Sequence, residues 1–190
     1  TQLDLAITQV TDAGLEHLVG LTILRSLDLE DAQVTDAGLV HLKLLPKLSR
    51  LNFRGTQVTD AGLEHLGGLT ELRVLLLGRT QVTDAGLQHL VVLTNLDSLD
   101  LASTQVTDAG LVHLQGLTNL NSLNLGGTQV TDTGLECVAK LPYLDCLGLR
   151  NTQVTNAGLV HLQGLTNLRW CLRLSGTQVT DTGLEHLKGL

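Results

Sequence analysis

The stretch LDSLDLASTQVTDAGLVHL occupies residues 96–114, and relatives of its second half occur eight times along the 190-residue chain. Successive copies are 24 residues apart, except that the last interval is 25. A fixed period of this size predicts a solenoid in which each unit stacks on the next. No linker or charge run interrupts the array, so residues 1–190 are predicted to form one domain. The residues before each Gln-Val mark the units: Thr8, Ala32, Thr56, Thr80, Thr104, Thr128, Thr152 and Thr177.

Each unit is predicted to contain one strand followed by one short helix. Leu99 and Leu101 alternate with polar residues, which is typical of a strand with one buried face. Thr107 and Asp108 provide N-cap chemistry for a helix. Leucines at three-residue spacing then give that helix one apolar side. Every unit therefore buries its leucines against its neighbours.

The segment Leu96 to Thr104, Leu-x-x-Leu-x-Leu-x-x-Thr, resembles the strand signature of leucine-rich repeats, with Thr where that family usually has Asn or Cys. The 24-residue period and the Val-Thr-Asp-Ala-Gly-Leu half are most similar to bacterial repeats of the GALA-like kind. The resemblance implies a right-handed α/β solenoid of eight units. It implies a parallel sheet on a concave face, helices on a convex face, and a partner bound on the concave side. Because a hydroxyl has one donor and an amide has two, we expect a threonine ladder to the neighbouring backbone instead of an asparagine ladder.

Two further repeated positions are interpreted structurally. A glycine lies inside each helical stretch, where it is unfavourable relative to Ala, so we expect a close approach of the adjacent unit. An acidic row is expected to cap the helices, because carboxylates are favoured at helix N-termini. The glycines are Gly14, Gly38, Gly62, Gly86, Gly110, Gly134, Gly158 and Gly183; the row is Asp12, Asp36, Asp60, Asp84, Asp108, Asp132, Asn156 and Asp181.

All seven histidines fall in one column, which Cys137 completes. Helices pack about 8 to 10 Å apart, whereas two imidazoles on one zinc need nitrogens only about 3.3 Å apart. We therefore expect half-buried rings that pack and bond to backbone, with a metal or pH-sensing role as the alternative. The column is His17, His41, His65, His89, His113, His161 and His186.

The sequence offers no catalytic arrangement above the repeat pattern, so we predict neither an enzyme nor a cofactor. The three cysteines have no zinc-ligand spacing and no disulfide framework. Cys146 and Cys171 lie one unit apart and could touch, but a bridge is not expected.

The arginines are confined to the positions that flank the strands on the concave face, and the four lysines lie elsewhere. Arg is favoured and Lys depleted at protein interfaces, so this segregation predicts recognition by the concave face. The alternative is that the arginines form supporting ion pairs with carboxylates of the same face. Eight arginines accompany seven carboxylates there, a mixed field that argues against nucleic acid. The arginines are Arg25, Arg50, Arg54, Arg73, Arg79, Arg150, Arg169 and Arg173; the carboxylates are Asp4, Asp28, Glu30, Asp31, Asp97, Asp100 and Asp145.

The concave face changes character along the array. Its fifth and sixth units carry small residues between two bulkier clusters, which predicts a shallow saddle with Ser98, Ala102, Ser103, Ser122, Gly126 and Gly127 as its floor. Trp170, the only tryptophan, lies in the 25-residue interval, where we expect a bulge that exposes its ring. The predicted partner-binding residues are Arg50, Arg54, Arg73, Leu76, Arg79, Asp97, Asp100, Arg150, Arg169, Trp170 and Arg173.

These features predict a module that recognises a protein or peptide, with no membrane or nucleic-acid partner. The family resemblance adds a second hypothesis, the substrate-recognition part of a bacterial effector linked to a ubiquitin ligase. A third hypothesis is a purely structural or scaffold array. Neither end of the sequence has a polar capping repeat, so end-to-end self-association or fraying of the terminal units is also expected.

Overall fold

The computed structural model describes residues 1–189 and confirms the predicted solenoid of stacked strand and helix units. Eight parallel strands form one sheet in sequence order. The strands are β1 Gln2–Asp4, β2 Ser26–Asp28, β3 Arg50–Asn52, β4 Val74–Leu76, β5 Ser98–Asp100, β6 Ser122–Asn124, β7 Cys146–Gly148 and β8 Cys171–Arg173.

The helices opposite the sheet are short, and most continue into a 3₁₀ turn. The α-helices are α1 Asp12–Glu16, α2 Asp36–Leu39, α3 Asp60–Leu63, α4 Asp84–Leu87, α5 Asp108–Leu111, α6 Asp132–Val138 and α7 Asn156–Leu159. The 3₁₀ segments are Val40–Leu44, Glu64–Leu66, Gln88–Leu90, Val112–Leu114, Val160–Gly164 and Gly183–Leu187. The predicted last helix extends to Leu190, which lies outside the described residues. Within residues 1–189, no helix has the length and apolar character to cross a membrane.

One continuous apolar core runs between the sheet and the helices. The inward leucines of the inner units are almost fully buried, and Phe53 replaces a leucine in the same row. Strand pairs are in register at the repeat distance, for example Leu75 with Leu99, so equivalent side chains form rows along the array. This register also aligns the outward positions of the concave face.

The glycine column lies where adjacent units approach each other, as predicted. At Gly38, an added Cβ would lie 2.5 Å from Asp12 Oδ1 and 2.9 Å from Leu15 Cδ1 of the preceding unit. At Gly14, in the first unit, it would meet only Val10 of the same unit. The glycines therefore allow the helices of neighbouring units to pack closely.

The aspartates of the acidic row lie in the first turn of their helices, at the positive N-terminus as predicted, but from α2 to α7 the side-chain cap is a threonine, and the aspartate carboxylate joins the units. Thr107 Oγ1 accepts a hydrogen bond from the Ala109 N–H, and Thr107 is the N-cap of α5. Asp84, in the preceding unit, accepts the Thr107 N–H at 2.7 Å and the Thr107 hydroxyl at 2.7 Å. The same pair of bonds recurs from Asp12 to Asp132, and Asn156 makes the last contact with Thr180. We call this row the Asp–Thr ladder.

The expected threonine ladder also differs from the structure. The Thr104 hydroxyl donates to Leu101 O at 2.7 Å, three residues earlier in the same unit, and its equivalents do likewise. These bonds close the turn after each strand and do not link units. Asparagines link units instead: Asn95, Asn119 and Asn167 each donate to a carbonyl one unit earlier.

Candidate functional site on the concave face

The concave face is built from short strands and from a left-handed turn that follows each of them. Since each strand is three residues long, one buried leucine lies between two outward residues, as Leu51 does between Arg50 and Asn52. Three residues beyond each strand, one residue per unit has φ between 54° and 75°. This left-handed backbone conformation favours Gly, Asn and Asp. It follows each strand and marks the end of the row of paired strand residues. The column is Ile7, Asp31, Gly55, Arg79, Ser103, Gly127, Asn151 and Gly176.

Two of the predicted arginines are committed to ion pairs that cross two units. Arg79 Nη2 lies 3.1 Å from Glu30 Oε1 and 3.2 Å from Asp31 Oδ2. Gly55 lies beneath this contact, where a Cβ would be 3.3 Å from Arg79 Nη2 and would overlap the Asp31 carboxylate. The supporting role considered for the arginines therefore applies to Arg79.

Arg54 makes the corresponding contact in the opposite direction along the array. Its Nη1 lies 3.4 Å from Asp100 Oδ2, and the Asp100 residue is only 6% exposed. Gly78 again leaves room, since a Cβ there would lie 3.3 Å from Arg54 Nε. That Nε is buried and has no hydrogen-bond partner among the described residues. Asp100 thus serves to position Arg54 and is shielded from a partner.

Three other predicted arginines are exposed and free of ion pairs with the described carboxylates: Arg50, Arg150 and Arg173. Arg73 is exposed near Asp97, whose pKa is raised by burial and lowered to a smaller extent by the Arg73 charge. Arg169 Nε donates to Thr166 O at 3.1 Å. The predicted arginines therefore divide into a paired group and a group available to a partner.

The predicted saddle is present as a depression of about 350 Å³. Four of its six predicted floor residues line it: Ala102, Ser103, Gly126 and Gly127. Its walls are formed by Arg54, Asn124, Arg150, Asn151 and Arg173. Ser98 and Ser122 do not line the depression, since they lie at the first position of their strands and the depression lies beyond the strand ends.

The saddle brings together only three of the eleven predicted partner-binding residues, Arg54, Arg150 and Arg173. Leu76 at the end of β4 and Asp97 just before β5 are half-buried and lie outside it. Asn124 and Asn151 line the saddle but are not among the predicted partner-binding residues. The register would have found them, because Asn124 shares a row with Asp100 and Asn151 shares the turn column with Arg79.

Trp170 is 83% exposed, which confirms the predicted exposure of its ring. The predicted bulge within the strand is wrong. Cys171 pairs with Cys146 in the ordinary register, and Trp170 N donates to Asp145 O at 3.0 Å just as Asn121 N donates to Asp97 O. The additional residue is therefore Arg169, which the turn ahead of β8 accommodates.

A disulfide joins Cys146 and Cys171, contrary to the expectation that they would not be bridged. The two residues are register partners on β7 and β8, with Cα atoms 4.5 Å apart, a spacing within the usual range for a disulfide. The bridge ties together the strands of the units that carry Arg150 and Arg173. Cys137 is free and partly buried.

The histidine column is half-buried in six of its seven positions, as predicted, with His17 exposed. Within residues 1–189, the structure shows no hydrogen bond from a histidine ring to the backbone, so that part of the prediction is wrong. His89 and His186 contact glutamine side chains, and His161 Nε2 lies 3.9 Å from Glu136 Oε1. Within residues 1–189, no group of three or more histidine, cysteine or acidic side chains is arranged to hold a metal.

Comparisons with known proteins agree with this architecture. A family model described as Leucine Rich repeats (2 copies) matches residues 94–137, and one described as Leucine Rich repeat matches residues 20–42 and 45–67. Internalin C2 from Listeria monocytogenes is a similar solved structure, with 32% identity and a TM-score of 0.80 over 100% of this chain and 77% of that chain. A TDR receptor is 17% identical, with a TM-score of 0.67 over 100% of this chain and 33% of that one, a likeness of fold alone. No curated protein sequence matches the chain significantly.

Proposed function

The chain belongs to the leucine-rich repeat family, and on that premise we propose that it is a recognition module that binds a protein or peptide through its concave face. One observation carries the proposal: Arg150 and Arg173 are exposed in the depression of this face, Trp170 is exposed immediately before β8, and neither arginine is neutralised by a described carboxylate. Arginine and tryptophan are among the side chains that most often contribute large binding energies at interfaces.

We also propose that the module has no catalytic activity of its own. The repeated aspartates and threonines are engaged in the Asp–Thr ladder, for example Asp84 with Thr107. Their hydrogen-bonding capacity is thereby used within the scaffold.

We assign the repeats to the GALA-like class on the 24-residue period and the Val-Thr-Asp-Ala-Gly-Leu motif.

A structural array is the second candidate function, and the long ion pairs favour it. Arg79 with Glu30 and Arg54 with Asp100 each connect units that are two repeats apart. Such pairs use the arginines within the array and need no partner. The two candidates differ in what Arg150 and Arg173 do, because no ion pair within residues 1–189 uses them.

Selection of a random peptide library on the immobilised protein tests recognition directly. Ser122→Trp places a large side chain on the outward side of β6, and Val112→Trp is the matched control on the exposed convex side. We expect enriched peptides to bind the parent and Val112→Trp with equal affinity and to bind Ser122→Trp at least about tenfold more weakly. Peptides that bind all three equally, or that lose affinity only for Val112→Trp, would contradict concave-face recognition.

A further inference from the structure

The saddle is a locally cationic site on a chain whose formal net charge is −7. We propose that it binds the carboxylate side chains of an acidic, extended segment of the partner, with Arg150 and Arg173 as the direct contacts. This inference rests on the proposed recognition function and names the chemistry of its ligand.

The charges of the saddle are not balanced within it. Three arginines line the depression, and none of the residues that line it is acidic. Arg54 forms an ion pair with the nearly buried Asp100. Arg150 and Arg173 are exposed and make no ion pair with the described carboxylates. Two guanidinium groups are therefore left for a ligand.

The geometry suits carboxylates carried by an extended chain. Arg150 and Arg173 lie in adjacent units: Arg173 pairs with Gly148 at the end of β7, and Arg150 follows two residues after Gly148. The Cys146–Cys171 disulfide holds the two strands together. Each guanidinium offers a planar fork of donors that matches a carboxylate. Gly126 and Gly127 leave the floor open, so a peptide backbone can approach the two arginines.

The occupant follows from charge complementarity. The first two units of the concave face carry the carboxylates Asp4 and Asp28, which disfavour an acidic segment there, whereas Glu30 is already paired with Arg79. Binding of such a segment should therefore favour the saddle, where two unpaired arginines line one depression, over the exposed Arg50, which lies outside it. Arg150 and Arg173 each carry one positive charge that no described carboxylate balances. Two glutamate or aspartate side chains of the ligand would supply the two negative charges.

The test uses a twelve-residue peptide of alternating glutamate and glycine with blocked ends, titrated into the isotopically labelled protein. Its matched control replaces each glutamate by glutamine, and a third peptide carries phosphoserine instead. The NMR signals of the arginine Nε–H groups report the contact site. We expect saturable shifts at Arg150 and Arg173 and none at Arg25, which is exposed on the same face. The glutamine peptide should leave the signals unmoved.

Variants then separate a specific site from general charge attraction. Arg150→Gln and Arg173→Gln should each weaken the glutamate peptide about tenfold, the usual contribution of a charge-assisted hydrogen bond. Lys140→Gln removes the same charge from the exposed surface outside the concave face and should change affinity by less than about twofold.

Three results would overturn the inference: equal shifts at Arg25 and in the saddle, equal weakening by Lys140→Gln, or tighter binding of the phosphoserine peptide. Failure of this site is distinguishable from failure of recognition. If the library peptides lose affinity for Ser122→Trp but contain no acidic residues, the recognition function is supported and the carboxylate site is contradicted. If no peptide depends on that face, both fall.

Discussion

Removal of one carboxylate from the Asp–Thr ladder should weaken the whole array. Asp84 lies at a central junction and accepts two hydrogen bonds from Thr107, one from the backbone N–H and one from the hydroxyl. Asp84→Ala would leave both donors without this partner. A hydrogen bond to a charged group contributes about 1.5 to 3 kcal/mol net. Because Asp84 and Thr107 are only half-buried, we take the lower value for each bond and expect a loss of about 3 kcal/mol.

The sequence itself provides the control, since Asn156 occupies the same row. Its Oδ1 accepts the Thr180 N–H at 2.8 Å, and its Nδ2 donates to the Thr180 hydroxyl at 2.8 Å. Asp84→Asn can therefore keep both contacts. The Thr107 hydroxyl would accept a hydrogen bond from the amide, where it now donates one to the carboxylate. It gives up only the attraction between a carboxylate and the helix N-terminus, so we expect it to cost less than about 1 kcal/mol.

Urea unfolding followed by far-ultraviolet circular dichroism measures the difference. With a slope of about 3 kcal/mol/M, the midpoint for Asp84→Ala should fall by about 1 M, and that for Asp84→Asn by less than about 0.4 M. The Thr107 amide should also exchange faster in the alanine variant. An Asp84→Ala midpoint close to that of the parent, or equal loss in the two variants, would refute the ladder as a source of stability.

Four further predictions follow from single positions. Gly86→Ala should lower the free energy of unfolding by about 1 to 3 kcal/mol, because its Cβ would overlap the Asp60 carboxylate. Gly116→Ala is the control, since its Cβ would enter open space and the stability should hardly change. Thermal unfolding of the two variants measures the difference. Ile7→Asn should stabilise the protein by about 1 kcal/mol, since Ile7 has φ 56° and is 81% exposed; an unchanged urea midpoint would argue against strain there. Trp170 should emit at long wavelength and be quenched readily by acrylamide, and a blue-shifted, protected emission would contradict its exposure. Asp97→Asn should raise the urea midpoint at pH 7, because burial raises the carboxyl pKa in the folded protein, and this gain should disappear as the pH falls below the ordinary value near 3.8.

The sign of the Asp97 effect follows from linkage. A raised pKa means that the folded protein holds the proton more tightly than the unfolded chain does. Ionisation of Asp97 therefore reduces stability as the pH rises through the folded pKa, and an uncharged amide avoids this loss. A midpoint gain that persists unchanged in acid would point to packing and not to charge.

The division of the arginines illustrates how far side-chain columns could be predicted. Their restriction to the concave face was visible in the sequence, because it depends only on position within the repeat. Their roles depend on neighbours two units away, as for Arg54 and Asp100 across Gly78. No spacing within one unit encodes that contact.

What the sequence determined by itself is the repeating unit: its period, one strand, one helix, the leucine rows and the close approach at the glycines. These follow from local periodicity and from the volume of side chains, which each unit carries independently of the others. Stacking in register then follows, since a single unit cannot bury its leucines alone.

Only the tertiary structure decided which groups meet between units. The Asp84–Thr107 bonds, the Cys146–Cys171 bridge and the Arg79–Glu30 pair all join residues separated by one or two repeats. Their formation depends on the distance between stacked backbones and on the direction of each side chain. A pattern of residue types fixes neither quantity, so the sequence predicted Arg150 and Arg173 as binding residues, but only the structure showed which arginines are paired and which are free.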